Sequence, residues 1–211
     1  MKKIAITIIL LSLGFFIGAG NAFAAIIDFT SPAFSAAKDA TTFSTPMAGG
    51  ITFTPGPNDP VSPPTLWWDN IDGIGVQYSY EQDEIEGSEF LRLDFSTPFI
   101  LDNISIADLF NEYGYTERGF YELNNGPLVT FFADADQNLG DPGDNGELTL
   151  IIGGVTVNSI NFTAPGLLAN GENHEFALKG IEGTPVPIPA AILLLGSGLV
   201  GLAGIRKKFK R

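Results

Sequence analysis

Short runs in which apolar and polar residues alternate fill the chain between about residues 25 and 184. In 89–95, Leu91, Leu93 and Phe95 fall on one side and Phe90, Arg92 and Asp94 on the other, the period of a half-buried strand. Ile104 and Ile106 alternate with Asn103 and Ser105 in the same way. Residues 118–122 lead through Asn124-Asn125-Gly126-Pro127 into 128–132, a hairpin in which Asn-Gly takes the positive φ of a tight turn. Gly153-Gly154, between 148–152 and 155–157, predicts a second two-residue hairpin. Segments 160–163 and 175–179 complete a set of about nine strands. One helical turn is expected within 105–112, and the proline-rich 55–64 reads as a long surface loop. Strands at short spacing without βαβ alternation predict an all-β fold, an antiparallel β-sandwich. A jelly-roll-like topology comes first and an immunoglobulin-like one second.

The two ends follow other rules. Lys2 and Lys3 precede an apolar stretch at 4–17, and Ala22-Phe23-Ala24 places small residues where signal peptidase reads them. Residues 1–24 therefore read as a signal peptide, cleaved before Ala25. At the other end Pro185, Pro187 and Pro189 predict an extended stalk. Residues 190–205 then carry no charge. As a helix they would span about 24 Å, a short crossing of a hydrocarbon core of about 30 Å. Arg206, Lys207, Lys208, Lys210 and Arg211 follow and would hold the tail on the cytoplasmic side. The expected organisation is a signal peptide at 1–24, an extracytoplasmic β-sandwich at 25–184 and a membrane-addressing tail at 185–211 with a single transmembrane helix.

Val186-Pro187-Ile188-Pro189, then Ala190-Ala191 and the apolar Leu-Leu-Leu-Gly-Ser-Gly-Leu run before the basic tail, resembles a PEP-CTERM sorting signal of the VPLPA type found in Gram-negative bacteria. The resemblance covers about the last 27 residues, with Ile188 where the name-giving motif has an acid. It implies an exosortase that recognises the tail and cleaves near the prolines, and delivery to the cell surface or exopolysaccharide matrix. Gly196-Ser197-Gly198-Leu199-Val200-Gly201 also fits the dinucleotide fingerprint, but it lies inside the apolar run and lacks the βαβ unit that motif requires. Small residues there suit close helix approach instead.

Charge sharpens the division. The chain has 24 acidic and 11 basic residues, and seven of the bases lie in the two end segments. The middle therefore carries all 24 acids against four bases, a net of about −20, which excludes nucleic acid as a partner. Cysteine is absent and histidine occurs once, so thiolate chemistry and multi-histidine metal sites are excluded.

Within the body, Asp134, Asp136, Asn138, Asp141 and Asp144 present hard oxygen ligands of the kind Ca²⁺ prefers. The same residues also make an ordinary solvated Asn/Asp/Gly turn, without the glycine and terminal glutamate of an EF-hand loop. Glu81, Asp83, Glu84, Glu86 and Glu89 read as a solvated face. His174 reads as a surface histidine at the start of a strand, and no G-x-S-x-G accompanies it. Trp67 and Trp68 are neighbours, so on a strand one ring faces the core and the other outward, where it would stack on a sugar. No catalytic constellation emerges. The reading is a non-enzymatic surface or matrix protein with a structural or adhesive body; the alternative is a carbohydrate-binding module, with polysaccharide as partner.

Overall fold

The computed structural model describes residues 24–57, 61–78, 81–82, 84–87, 89–112, 115–134, 146–166 and 174–186. Among them helix is limited to two 3₁₀ segments, Pro32–Ala37 and Met47–Gly49. The rest is strand and connection: β1 (Ala25–Asp28), β2 (Phe43–Thr45), β3 (Ile51–Gly56), β4 (Thr65–Trp68), β5 (Ile74–Tyr78), β6 (Glu81–Gln82), β7 (Phe90–Ala107), β8 (Asn111–Glu112), β9 (Tyr115–Thr116), β10 (Arg118–Leu123), β11 (Leu128–Phe132), β12 (Leu148–Thr163) and β13 (Ala177–Pro185). Every pairing is antiparallel, so the body is all-β as its period-two patterning predicts.

The organising element is β7, 18 residues long. The alternations at 89–95 and 103–106, expected as two strands, are the two halves of this one. Its first half pairs with β3, from Ile51↔Phe95 to Gly56↔Phe90. Its second half pairs with β13, from Pro185↔Phe99 to Ala177↔Ala107. The change of partner falls at Ser96-Thr97-Pro98, where Pro98 has no N–H to donate and the Ser96 N–H bonds Gly50 O at 2.8 Å. Along its other edge β7 is followed by β12 from end to end. The sheet so formed runs β11-β10-β12-β7-β13-β5-β4, with β1, β2, β3 and β6 attached as branches; β8 and β9 form a separate ribbon.

The Gly153-Gly154 hairpin is not formed. Residues 148–163 make one strand, and the glycines are a bulge in it: between Ile151↔Asn103 and Val155↔Leu101, β12 advances four residues while β7 advances two. Both glycines have φ near +80° (+81° and +82°), which serves a bulge as well as a turn, and both flanks bond to β7 rather than to each other. The helical turn expected within 105–112 is also absent, since 105–107 end β7 and Asn111–Glu112 form β8. Pro55 and Gly56, assigned to a loop, close β3 opposite Leu91 and Phe90. Pro185, assigned to the stalk, is the last residue of β13.

The β10–β11 hairpin is present, with a different distribution of strain. Asn124 and Asn125 both take φ +56°, while the Gly126 N–H closes the turn on Leu123 O at 2.9 Å. The positive φ expected at Asn-Gly therefore falls one residue earlier.

The inward residues of β7 are those its alternation selects: Leu91, Leu93, Leu101, Ile104 and Ile106 are fully buried. Around them Phe29 meets Phe34 and Phe53 edge-on, with ring centroids 5.0 and 5.2 Å apart, and Phe131 meets Phe176 edge-on at 5.1 Å. Gly119 makes room for the last pair, because a Cβ there would lie 2.2 Å from the Phe131 ring and 2.6 Å from that of Phe176. The compact unit containing this core spans Ala24–Pro185. Its two ends adjoin, with Ala25 paired to Gly183.

Candidate functional site

Of the terminal signals, Ala24 is exposed just before β1, Ala25 opens β1, and Val186 follows β13. Ala22, Pro187, Ile188, Pro189, the apolar segment 190–205 and the basic tail from Arg206 to Arg211 lie outside the described residues. Among the described residues no helix is long and apolar enough to cross a membrane. Of the oxygen ligands considered for Ca²⁺, Asp134 is exposed and its backbone carbonyl accepts from the Asn111 amide. Asp136, Asn138, Asp141 and Asp144 lie outside the described residues.

The tryptophans do lie on opposite faces of β4. Leu66 and Trp68 share the core side, and the Trp68 indole N–H donates to Phe29 O at 2.7 Å. Trp67 points the other way, yet it is half-buried and its ring is capped by the Lys38 ammonium, 3.6 Å from the centroid. Its N–H is buried with no hydrogen-bond partner among the described residues. The outward ring is thus already covered on one face, by a residue 29 positions upstream.

Two polar residues expected at the surface are buried. His174 is 4% exposed, and its Nδ1 accepts from the Arg118 N–H at 3.3 Å. Burial lowers the His174 pKa, with the Arg118 charge adding to the effect, so the ring is held neutral. Glu89 is also 4% exposed, and its Oε2 accepts from the Glu86 N–H at 3.2 Å. A short loop that turns back on itself buries this carboxylate, which a string of neighbouring acids does not reveal.

A concavity with both polar and apolar lining lies elsewhere, on the outer face of β12, β7, β13 and β1. The pairings align residues in rows across the four strands. Leu150, Ile104, Ile181 and Ile27 form the core-facing row. On the opposite face lie Ile151, Asn103, Glu182 and Ile26, and beside them Thr149, Ser105, Gly180 and Asp28. A groove of about 330 Å³ lies along these rows. Gly180 lets β1 approach closely, since a Cβ there would lie 2.7 Å from Ile27 O. The Asn103 amide donates to Glu182 Oε2 at 2.7 Å. Asp28 Oδ1 accepts from the Thr30 N–H at 2.9 Å and the Thr30 hydroxyl at 2.7 Å. At one end Lys179 forms an ion pair with Glu147.

The sequence reading singled out none of these groove residues. In each strand they are the polar members of an alternating pattern, and they converge through pairings between residues some 80 positions apart, such as Asn103↔Glu182.

No family model matches this chain, and no curated protein matches it. Among solved structures, the cryo-EM structure of the arabinofuranosyltransferase AftD from Mycobacteria shows a TM-score of 0.31 at 14% identity, covering 62% of this chain and 11% of that one. The chain thus spans about a tenth of that protein, and a likeness this loose carries no argument about fold or activity.

Proposed function

We propose that the chain is an exported, non-enzymatic protein of the cell surface or exopolysaccharide matrix. A signal peptidase releases its amino end, and a C-terminal segment of the PEP-CTERM kind tethers it to the membrane until an exosortase processes it. The body serves a structural or adhesive role. In this reading it is a β-sandwich made by one branching sheet that folds over where β7 changes partners, at Ser96-Thr97-Pro98, since strands that switch sheets form the corners of such packings.

One observation carries the reading. The compact unit runs from Ala24 to Pro185, and these limits adjoin the Ala-Phe-Ala cleavage signal on one side and the proline motif on the other. Mass spectrometry of cell-surface material is the test. Chains that begin at Ala25 and lack 206–211 are expected; full-length chains confined to the inner membrane would overturn the sorting.

The second reading, sugar stacking on Trp67 or Trp68, has less support. The Trp68 indole is engaged with Phe29 O, and one face of Trp67 is occupied by Lys38.

A further inference from the structure

The outer groove has the chemistry of a recognition site that is independent of the tryptophan pair. Its side chains come from β1, β7, β12 and β13, so their spacing is set by sheet register, a more precise support than a loop. Its volume of about 330 Å³ lies at the small end of ligand pockets, which run from about 300 to 1,000 Å³. The two central carboxylates are each braced through one oxygen: Asp28 Oδ1 by Thr30 and Glu182 Oε2 by Asn103. Asp28 Oδ2 and Glu182 Oε1 have no partner among the described residues and remain as acceptors. The Ser105 and Thr149 hydroxyls lie in the adjoining row and both donate and accept.

Charge selects among ligands. Three carboxylates, Asp28, Glu147 and Glu182, face one ammonium, Lys179, which is already paired with Glu147. Phosphate, sulfate and uronate groups would be repelled. Among the described residues no three acidic or histidine side chains are grouped to hold a metal ion. A ligand hydroxyl, by contrast, donates to a carboxylate in a charge-assisted bond. Apolar surface is also at hand, because Ile26 lines the groove while 78% exposed.

We propose that this groove binds an uncharged glycan, whose hydroxyls bond to Asp28, Glu182, Asn103 and Ser105 while Ile26 packs along the C–H face of a sugar ring. The inference does not rest on the sorting reading; a chain that is never processed would bind equally well.

The test is binding of the full-length protein, in detergent micelles, to an array of uncharged and acidic polysaccharides. At least one uncharged glycan should be retained, with affinity falling about tenfold or more in both Asp28→Asn and Glu182→Gln, as for loss of a hydrogen bond to a charged group. Melting temperatures of the two variants check that they fold. Trp67→Ala should leave binding unchanged. Retention of acidic glycans alone, no retention at all, or equal binding by both groove variants would overturn the proposal. Binding lost in Trp67→Ala but kept in the groove variants would overturn it too, by moving the ligand to the tryptophans.

Discussion

Asn124 holds the β10–β11 turn against β12, and removing its side chain should cost far more than its exposed position suggests. Its Oδ1 accepts from the Asn158 N–H at 2.6 Å and, more weakly, from the Ser159 N–H at 3.4 Å. Its Nδ2 donates to Thr156 O at 2.9 Å. These bonds bridge the place where the β12–β7 register shifts, between Val157 and Ser159. Asn124→Ala loses two good hydrogen bonds, at about 0.5–1.5 kcal/mol net each. It also puts a Cβ-bearing residue with no compensating side chain at φ +56°, for about 1 kcal/mol more. The expected loss is about 2–4 kcal/mol. Asn124→Gly keeps the backbone at ease and should cost about 1 kcal/mol less than the alanine variant. Asn125 shares the same φ, but its side chain accepts one exposed bond, from Arg92 at 3.1 Å. Asn125→Ala should therefore lose only about 1–2 kcal/mol. Urea unfolding followed by the fluorescence of Trp67 and Trp68 separates the variants. With m of about 1–3 kcal/mol/M, Asn124→Ala should unfold about 1 M earlier than the parent. If its midpoint coincided with that of Asn125→Ala, the side-chain bridge would have no energetic content and the reasoning would fail.

Acid should weaken the body through His174. Its folded pKa is lowered, so the unfolded chain takes up a proton first. The stability it protects is complete above the unfolded value of about 6.5 and declines as pH falls from there toward the folded value. Urea midpoints compared between about pH 7.5 and pH 5.5 should fall in the parent and fall less in His174→Gln; equal slopes would contradict this account. Phe29→Ala removes a fully buried ring with two edge-on partners and should cost about 3–5 kcal/mol by thermal or urea unfolding. Val61→Ala, at a side chain 90% exposed, is the neutral comparison, and a similar loss in both would refute the assigned core.

Patterning with period two was readable wherever one face of a strand meets the core. Leu91 and Leu93 against Arg92 and Asp94, and Ile104 and Ile106 against Asn103 and Ser105, fell on the sides assigned to them. Connectivity was not readable. Gly153-Gly154 has the φ preference of a hairpin and of a bulge alike, and the choice was made by β7, some 50 residues away, which offered an edge long enough for both flanks. The Trp67–Trp68 pair split across β4 as its spacing implied, but the cap on Trp67 comes from Lys38 in a distant segment. Asp28, Asn103 and Glu182 looked like scattered polar positions because their meeting depends on long-range register, which no local window contains.

The seat of β13 between β1 and β7 has a mechanical consequence. Antiparallel ladder bonds run perpendicular to their strands. A pull on the chain beyond Pro185 acts along β13, whose residues 180–183 are bonded to β1 on one side and whose residues 177–185 are bonded to β7 on the other. Such a force loads the two ladders in shear, so their bonds must yield together instead of peeling one at a time. A body anchored through that end would resist traction until the sheet tears as a unit.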